Sequence, residues 1–156
     1  MIPFLTPLDV DTLRAQGVSE PWGFGLADRV RFGELDVLGH VNNTAYLAWL
    51  ENLRIHYFRD YGLHDYSGTP PKIVLRNIGL DFKSEVKLNE TYIVTGRTVE
   101  MRNSSFTMHY GVWVAGKLTT TGHAIIVMLN ADNVKQPLSD KLRATFIARD
   151  GAVQAG

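Results

Sequence analysis

Apolar positions change their spacing as the chain proceeds, and each change marks an element. From Val41 to Tyr61 the residues Tyr46, Leu50, Leu53 and Tyr57 recur at helical spacing, and Gly62 supplies a stop. Ala45, Leu47, Ala48, Trp49, Ile55 and Phe58 add apolar groups on further faces, which predicts a helix largely enclosed by the rest of the fold. After the Gly68 to Pro71 break the period shortens. Lys72 to Phe82, Thr91 to Met101, Ser105 to Ala115 and Leu118 to Leu129 are rich in Val, Ile, Thr, Tyr and Phe, so four consecutive strands are expected. In the third, Phe106, Met108, Tyr110, Val112 and Val114 share one face, while Thr107, His109, Gly111 and Trp113 share the other.

The flanks are less regular. Leu8, Val10, Leu13 and Ala15 predict a short helix within residues 7–16 ending at Gly17, followed by a Pro21 to Gly25 loop and a strand from Leu26 to Phe32. Gly116-Lys117 reads as a tight hairpin turn, and Ser139 opens a terminal helix containing Leu142, Phe146 and Ile147. Strand, long apolar helix and a meander of strands without alternating crossovers give an α+β fold with an antiparallel sheet. To enclose one helix that sheet must curve, and Gly79, Gly96, Gly111 and Gly122 are candidate bends or bulges.

Composition narrows the functions. At 156 residues and 45% hydrophobic content, the chain is expected to form one domain, residues 1–156, with an N-terminal extension (1–25), a core (26–130) and a C-terminal tail with a helix (131–156). Sixteen basic and sixteen acidic residues cancel, which argues against nucleic acid or an anionic membrane as partner and toward a small molecule. The absence of cysteine excludes thiol nucleophiles and thiolate metal sites and fits a reducing, cytoplasmic setting. Met1 to Asp9 lacks the basic and uninterrupted apolar regions of an export signal, and the longest apolar run, Ala124 to Leu129, is strand-sized.

Chemistry concentrates in Arg31 to Tyr46, where Asp36 sits in a glycine-containing turn just before the long helix. A helix start offers unpaired N–H groups and a positive dipole end that can polarise a carbonyl while a carboxylate attacks it or activates water. Glu34, two residues earlier, raises a paired-carboxylate alternative, although a solvated strand end is the plainer reading. His40 has no partner ligands at metal spacing, since His56, His64, His109 and His123 form no motif, so it is expected to fix the turn. Asn42 and Asn43 either cap the helix or orient a substrate, and Tyr46, one turn on, either packs in the core or lines an acyl pocket.

Taken together, Asp36, Gly39-His40-Val41-Asn42-Asn43, Tyr46 and Trp49 to Arg54 resemble the hotdog-fold acyl-CoA thioesterases, in the branch similar to 4-hydroxybenzoyl-CoA thioesterase. The resemblance runs from about Leu26 to Asn130, including Phe82 to Thr91 and Gly116 to Val127, and does not cover the N-terminal 25 residues. It implies a curved antiparallel sheet around one helix, and an acyl-CoA hydrolase needing no metal or organic cofactor, coenzyme A entering only as part of the substrate. Asp36 is then the catalytic nucleophile or general base, and the backbone of His40, Val41 and Asn42 polarises the thioester carbonyl. Asn43 and Tyr46 are implied to touch substrate. Glu51 and Arg54 match the family's helix pair, expected to serve structure or an interface. A homodimer or dimer of dimers is implied, with the site between subunits.

Other readings stay open. An acyl-carrier-protein thioesterase would want a basic patch, a hotdog dehydratase a differently spaced His and acid, and a binder would use the same pocket without turnover. Arg76, Lys83, Lys87 and Arg102 are the cations available for coenzyme A phosphates, and Asn103-Ser104-Ser105 offers donors or simply a turn.

Overall fold

The structure, a computed structural model, describes residues 1–69 and 72–155, so two residues of the Gly68 to Pro71 break fall outside it. Its elements are α1 (Val10–Ala15), β1 (Gly25–Arg29), a 3-10 turn (Phe32–Glu34), α2 (Asn43–Asp60), β2 (Lys72–Phe82), β3 (Thr91–Met101), β4 (Ser105–Val114), β5 (Lys117–Leu129), α3 (Asp140–Asp150) and β6 (Val153–Gln154). The sheet runs β1-β3-β4-β5-β2 with antiparallel neighbours, and β6 joins the end of β3 in parallel. It wraps α2 as the expected α+β hotdog arrangement, with β6 an addition the sequence does not signal.

Helix α2 begins because Asn42 Oδ1 accepts the Ala45 N–H at 2.8 Å, and it ends where Gly62 takes φ +81°. Its inward stripe, including Tyr46, Trp49, Leu50, Leu53, Tyr57 and Phe58, is buried against the sheet. Each such side chain contributes roughly 1.5–3 kcal/mol by leaving water. Gly96 in β3 admits this packing, since a Cβ there would stand 2.7 Å from Leu53 Cδ2. The helix is not enclosed all round: Leu47, Ala48 and Glu51 are exposed on its outer side.

Three further expectations are corrected. Sheet irregularities fall at Leu75/Asn77, Thr98/Glu100 and Val112/Trp113, not at the strand glycines. The β4–β5 hairpin turns on Ala115-Gly116, both at positive φ as a two-residue hairpin loop of this twist requires, with Val114 opposite Lys117. Strand β1 stops at Arg29, because Asp28 Oδ1 accepts the Arg29 N–H at 2.8 Å and Glu34 Oε1 accepts the Arg31 N–H at 2.8 Å, folding the chain into the 3-10 turn.

The N-terminal segment covers the outer edge of β1, with Leu5 N–H donating to the Ala27 carbonyl at 2.9 Å and Leu8 N–H to that of Gly25 at 3.0 Å. Leu8, Leu13 and Val18 bury Ala27, Ile93 and Trp113 on the convex face. Trp113 is thus a core residue, and its Nε1 donates to Thr95 Oγ1 at 3.0 Å. At the opposite edge β2 presents exposed Val74, Leu75 and Phe82. One edge of the sheet is blocked and the other is open.

Candidate active site

The turn before α2 is a small closed loop. Asp36 N–H donates to the His40 carbonyl at 2.7 Å, Gly39 N–H to that of Asp36 at 3.1 Å, and Leu35 and Val41 form a bridge around them. Gly39 takes φ +79°, a conformation a side chain resists. Asp36 Oδ1 accepts the N–H groups of Leu38 at 2.9 Å and His40 at 3.1 Å, while Oδ2 has no partner among the described residues. One oxygen holds the turn and the other faces outward from an exposed residue.

This loop is fixed from both sides. Glu34 Oε2 accepts Trp49 Nε1 at 2.7 Å, and Trp49 stacks on Tyr92 with ring centroids 3.8 Å apart. Glu34 therefore ties the turn to the helix, the structural role its two hydrogen bonds give it. His40 Nε2 lies 2.7 Å from Glu85 Oε2, and Lys87 Nζ is 3.4 Å from the other oxygen of that carboxylate. His40 thus anchors the turn to the segment that follows β2.

The three amides expected to polarise a carbonyl are engaged elsewhere: His40 N–H on Asp36 Oδ1, Val41 N–H on the Val86 carbonyl at 3.0 Å, and Asn42 N–H on that of Glu34 at 2.8 Å. The helix-start donors without a partner among the described residues are the N–H groups of Asn43 and Thr44, which an α-helix cannot satisfy internally. The open amides of α2 therefore lie one step further along the chain than the residues the sequence pattern points to. Tyr46 is buried, with its ring centroid 5.0 Å from those of Trp49 and Phe82, so it backs the site rather than opening into it, and burial raises its phenol pKa. Asn43 is exposed beside the open amides.

Phe32, Val37 and Leu38, within four residues of Asp36 along the chain, are all strongly exposed apolar side chains. A matching family model, that of the thioesterase-like superfamily, spans residues 30–146. The chain belongs to the thioesterase-like superfamily.

Among solved structures of this kind, a thioesterase superfamily protein from Jannaschia sp. CCS1 is 42% identical, covers 99% of this chain and 100% of its own, and superposes with a TM-score of 0.94. A Thermus thermophilus thioesterase complexed with coenzyme A and Zn is 29% identical over 86% of this chain and 100% of its own, with a TM-score of 0.75. The uncharacterized protein YsmA of Bacillus subtilis (strain 168) is 28% identical over 107 residues, which is 68% of this chain and 72% of that protein. These likenesses support thioester hydrolysis as the general activity.

The other site expectations are resolved individually. Arg54 makes no ion pair with Glu51 among the described residues; it is buried, and its Nη1 donates to Tyr110 Oη at 3.2 Å. Arg102 pairs with Glu100 at 3.2 Å, and the Asn103 carbonyl accepts Leu138 N–H and Arg143 Nη2, so the β3–β4 turn is held by the C-terminal segment. Among the described residues no three His, Cys, Asp or Glu side chains gather as a metal set, and no helix is long and apolar enough to cross a membrane.

Proposed function

We propose that this chain hydrolyses acyl-CoA thioesters to a free acid and CoA, with Asp36 as the nucleophile or general base. The observation that carries the reading is the half-used carboxylate of Asp36 beside a helix start with two open amides, Asn43 and Thr44. A thioester carbonyl placed there meets donors matched to the oxyanion that forms on attack, and one such donor is typically worth about 2.7–4 kcal/mol. The free oxygen of Asp36 then either adds to the carbonyl carbon and expels the CoA thiolate, leaving a mixed anhydride that water hydrolyses to the acid and the free carboxylate, or takes a proton from a water that attacks the carbonyl and expels the thiolate directly. Lys87, which bridges to His40 through the backbone and shares Glu85 with it, is a cation the fold sets beside this turn for CoA phosphates, and a coenzyme A complex of a related thioesterase supports that portion of the substrate as the handle. No metal or organic cofactor enters the proposed reaction.

The working unit is a homodimer. The β1 edge is covered by the N-terminal segment, whereas β2 leaves its ladder groups unpaired beside exposed Val74, Leu75 and Phe82, and α2 exposes Leu47 and Ala48. Pairing of β2 with β2 of a second copy satisfies both surfaces at once. Free-thiol release from a panel of acyl-CoAs, run with Asp36→Asn alongside, tests the activity. A chain that binds acyl-CoA saturably without thiol release is a binder, and the hydrolase reading is then lost.

A further inference from the structure

Arg54 is nine-tenths buried, yet it has one hydrogen bond, to Tyr110 Oη, and no carboxylate within reach among the described residues. Its other guanidinium nitrogens are not sealed from open space, so the group stays available to an anion that enters beside it. Arg54 lines a cavity of about 300 Å³ between α2 and the open edge of the sheet, otherwise walled largely by apolar side chains including Phe58, Tyr66, Val74 and Leu75, with exposed Glu51 at its lip. An apolar slot with one convergent charged donor is the usual form of a site for an amphiphilic small molecule.

The cavity also lies where an acyl group would arrive. Within one chain Arg54 is eleven residues beyond Asn43, about 16 Å along the helix at 1.5 Å per residue, too far for a short acyl chain held at the same chain's Asp36. In a two-fold pair formed along the full length of β2, Lys72 of one copy stands opposite the partner's Phe82. Phe82 packs on Tyr46 in the first turn of α2, so this pairing sets the start of the partner's α2 beside the Val74–Leu75 wall of the cavity.

We infer that the Arg54 cavity receives the far end of the acyl chain bound at the partner's Asp36, and that this end carries a carboxylate. The preferred substrates are thus ω-carboxyacyl thioesters, whose carboxylate matches the guanidinium fork of Arg54 while the methylenes cross the apolar walls. This rests on the dimeric hydrolase reading.

Non-hydrolysable thioether analogues of CoA separate the two. Calorimetry on the full chain compares an ω-carboxyalkyl thioether with the ω-methyl thioether of equal length, and the carboxylate ligand is expected to bind about tenfold tighter or more. Arg54→Met should remove that advantage by weakening the carboxylate ligand alone, with Arg54→Lys intermediate because the fork is lost but the charge kept. Equal affinity of the wild-type chain for both thioethers, binding of neither, or equal weakening of both by Arg54→Met overturns the inference. Should Arg54→Met fail to fold, the two wild-type affinities decide alone. Carboxylate discrimination without thiol release from any acyl-CoA upholds the Arg54 site and sinks the hydrolase reading; thiol release without discrimination does the reverse.

Discussion

Trp49 Nε1 donates to Glu34 Oε2 at 2.7 Å, and this bond joins the second turn of the central helix to the turn that presents Asp36. The other Glu34 oxygen accepts the Arg31 N–H, so one carboxylate fixes both the entry to the turn and its distance from α2. Removing it in Glu34→Ala strands two donors and is expected to cost about 1–3 kcal/mol in stability. Displacement of the turn should also lower kcat by about tenfold or more, because small misplacements of reacting groups are expensive. Thermal melting and thiol-release kinetics measure the two effects; a variant with lowered stability and unchanged kcat contradicts the positioning role.

Asp150 is buried where α3 meets α2 and β3, and its carboxylate accepts the hydroxyls of Tyr57 and Tyr61 and the Thr98 N–H. Burial and the neighbouring Asp150 charge raise the pKa of both tyrosines, so they stay neutral donors. Asp150→Ala leaves three buried donors without their acceptor and should destabilise by about 3 kcal/mol, against about 1 for Tyr61→Phe. Urea unfolding distinguishes these from the near-neutral change expected of a surface aspartate.

On the convex face His109 stands directly opposite His123 in β5 and opposite Arg97 in β3. Partial desolvation of this surface ring first, then the Arg97 and His123 charges, hold its pKa below the ordinary 6.5. Because the unfolded chain then takes up a proton more readily than the folded one, stability is complete above about pH 6.5 and falls as the pH drops through the interval down to the folded-state pKa. Urea midpoints measured across that range should decline toward acid, and His109→Gln should flatten the decline. An unchanged slope in His109→Gln contradicts the assignment.

The open β2 edge predicts a dimer that a single charge breaks. Leu75→Glu places a carboxylate on the exposed edge and should shift the chain toward monomer by sedimentation equilibrium, with turnover falling in parallel. A monomeric variant with full activity contradicts a site shared between subunits.

Local signals wrote the elements legibly and long-range contacts did not. β2 and β3 run over the expected residues because β-branched and aromatic residues fill them, and Asn42 and Ser139 cap helices as their types favour. The misplaced hairpin turn arose because Ala115, not a usual left-handed residue, takes φ +49°. Asp36 was legible as a carboxylate before a helix, but which amides remain open depends on Val86 and Glu34, contacts no local pattern encodes. The Glu34–Trp49 and Arg54–Tyr110 bonds span 15 and 56 residues and were equally invisible.

Asp36→Asn gives the most direct test, because the amide keeps the oxygen that accepts Leu38 and His40 N–H while abolishing the outward carboxylate. Thiol release from an acyl-CoA panel should fall by about 10²-fold or more in a variant whose melting temperature matches the parent's. Near-parental turnover in a folded Asp36→Asn chain would contradict the account.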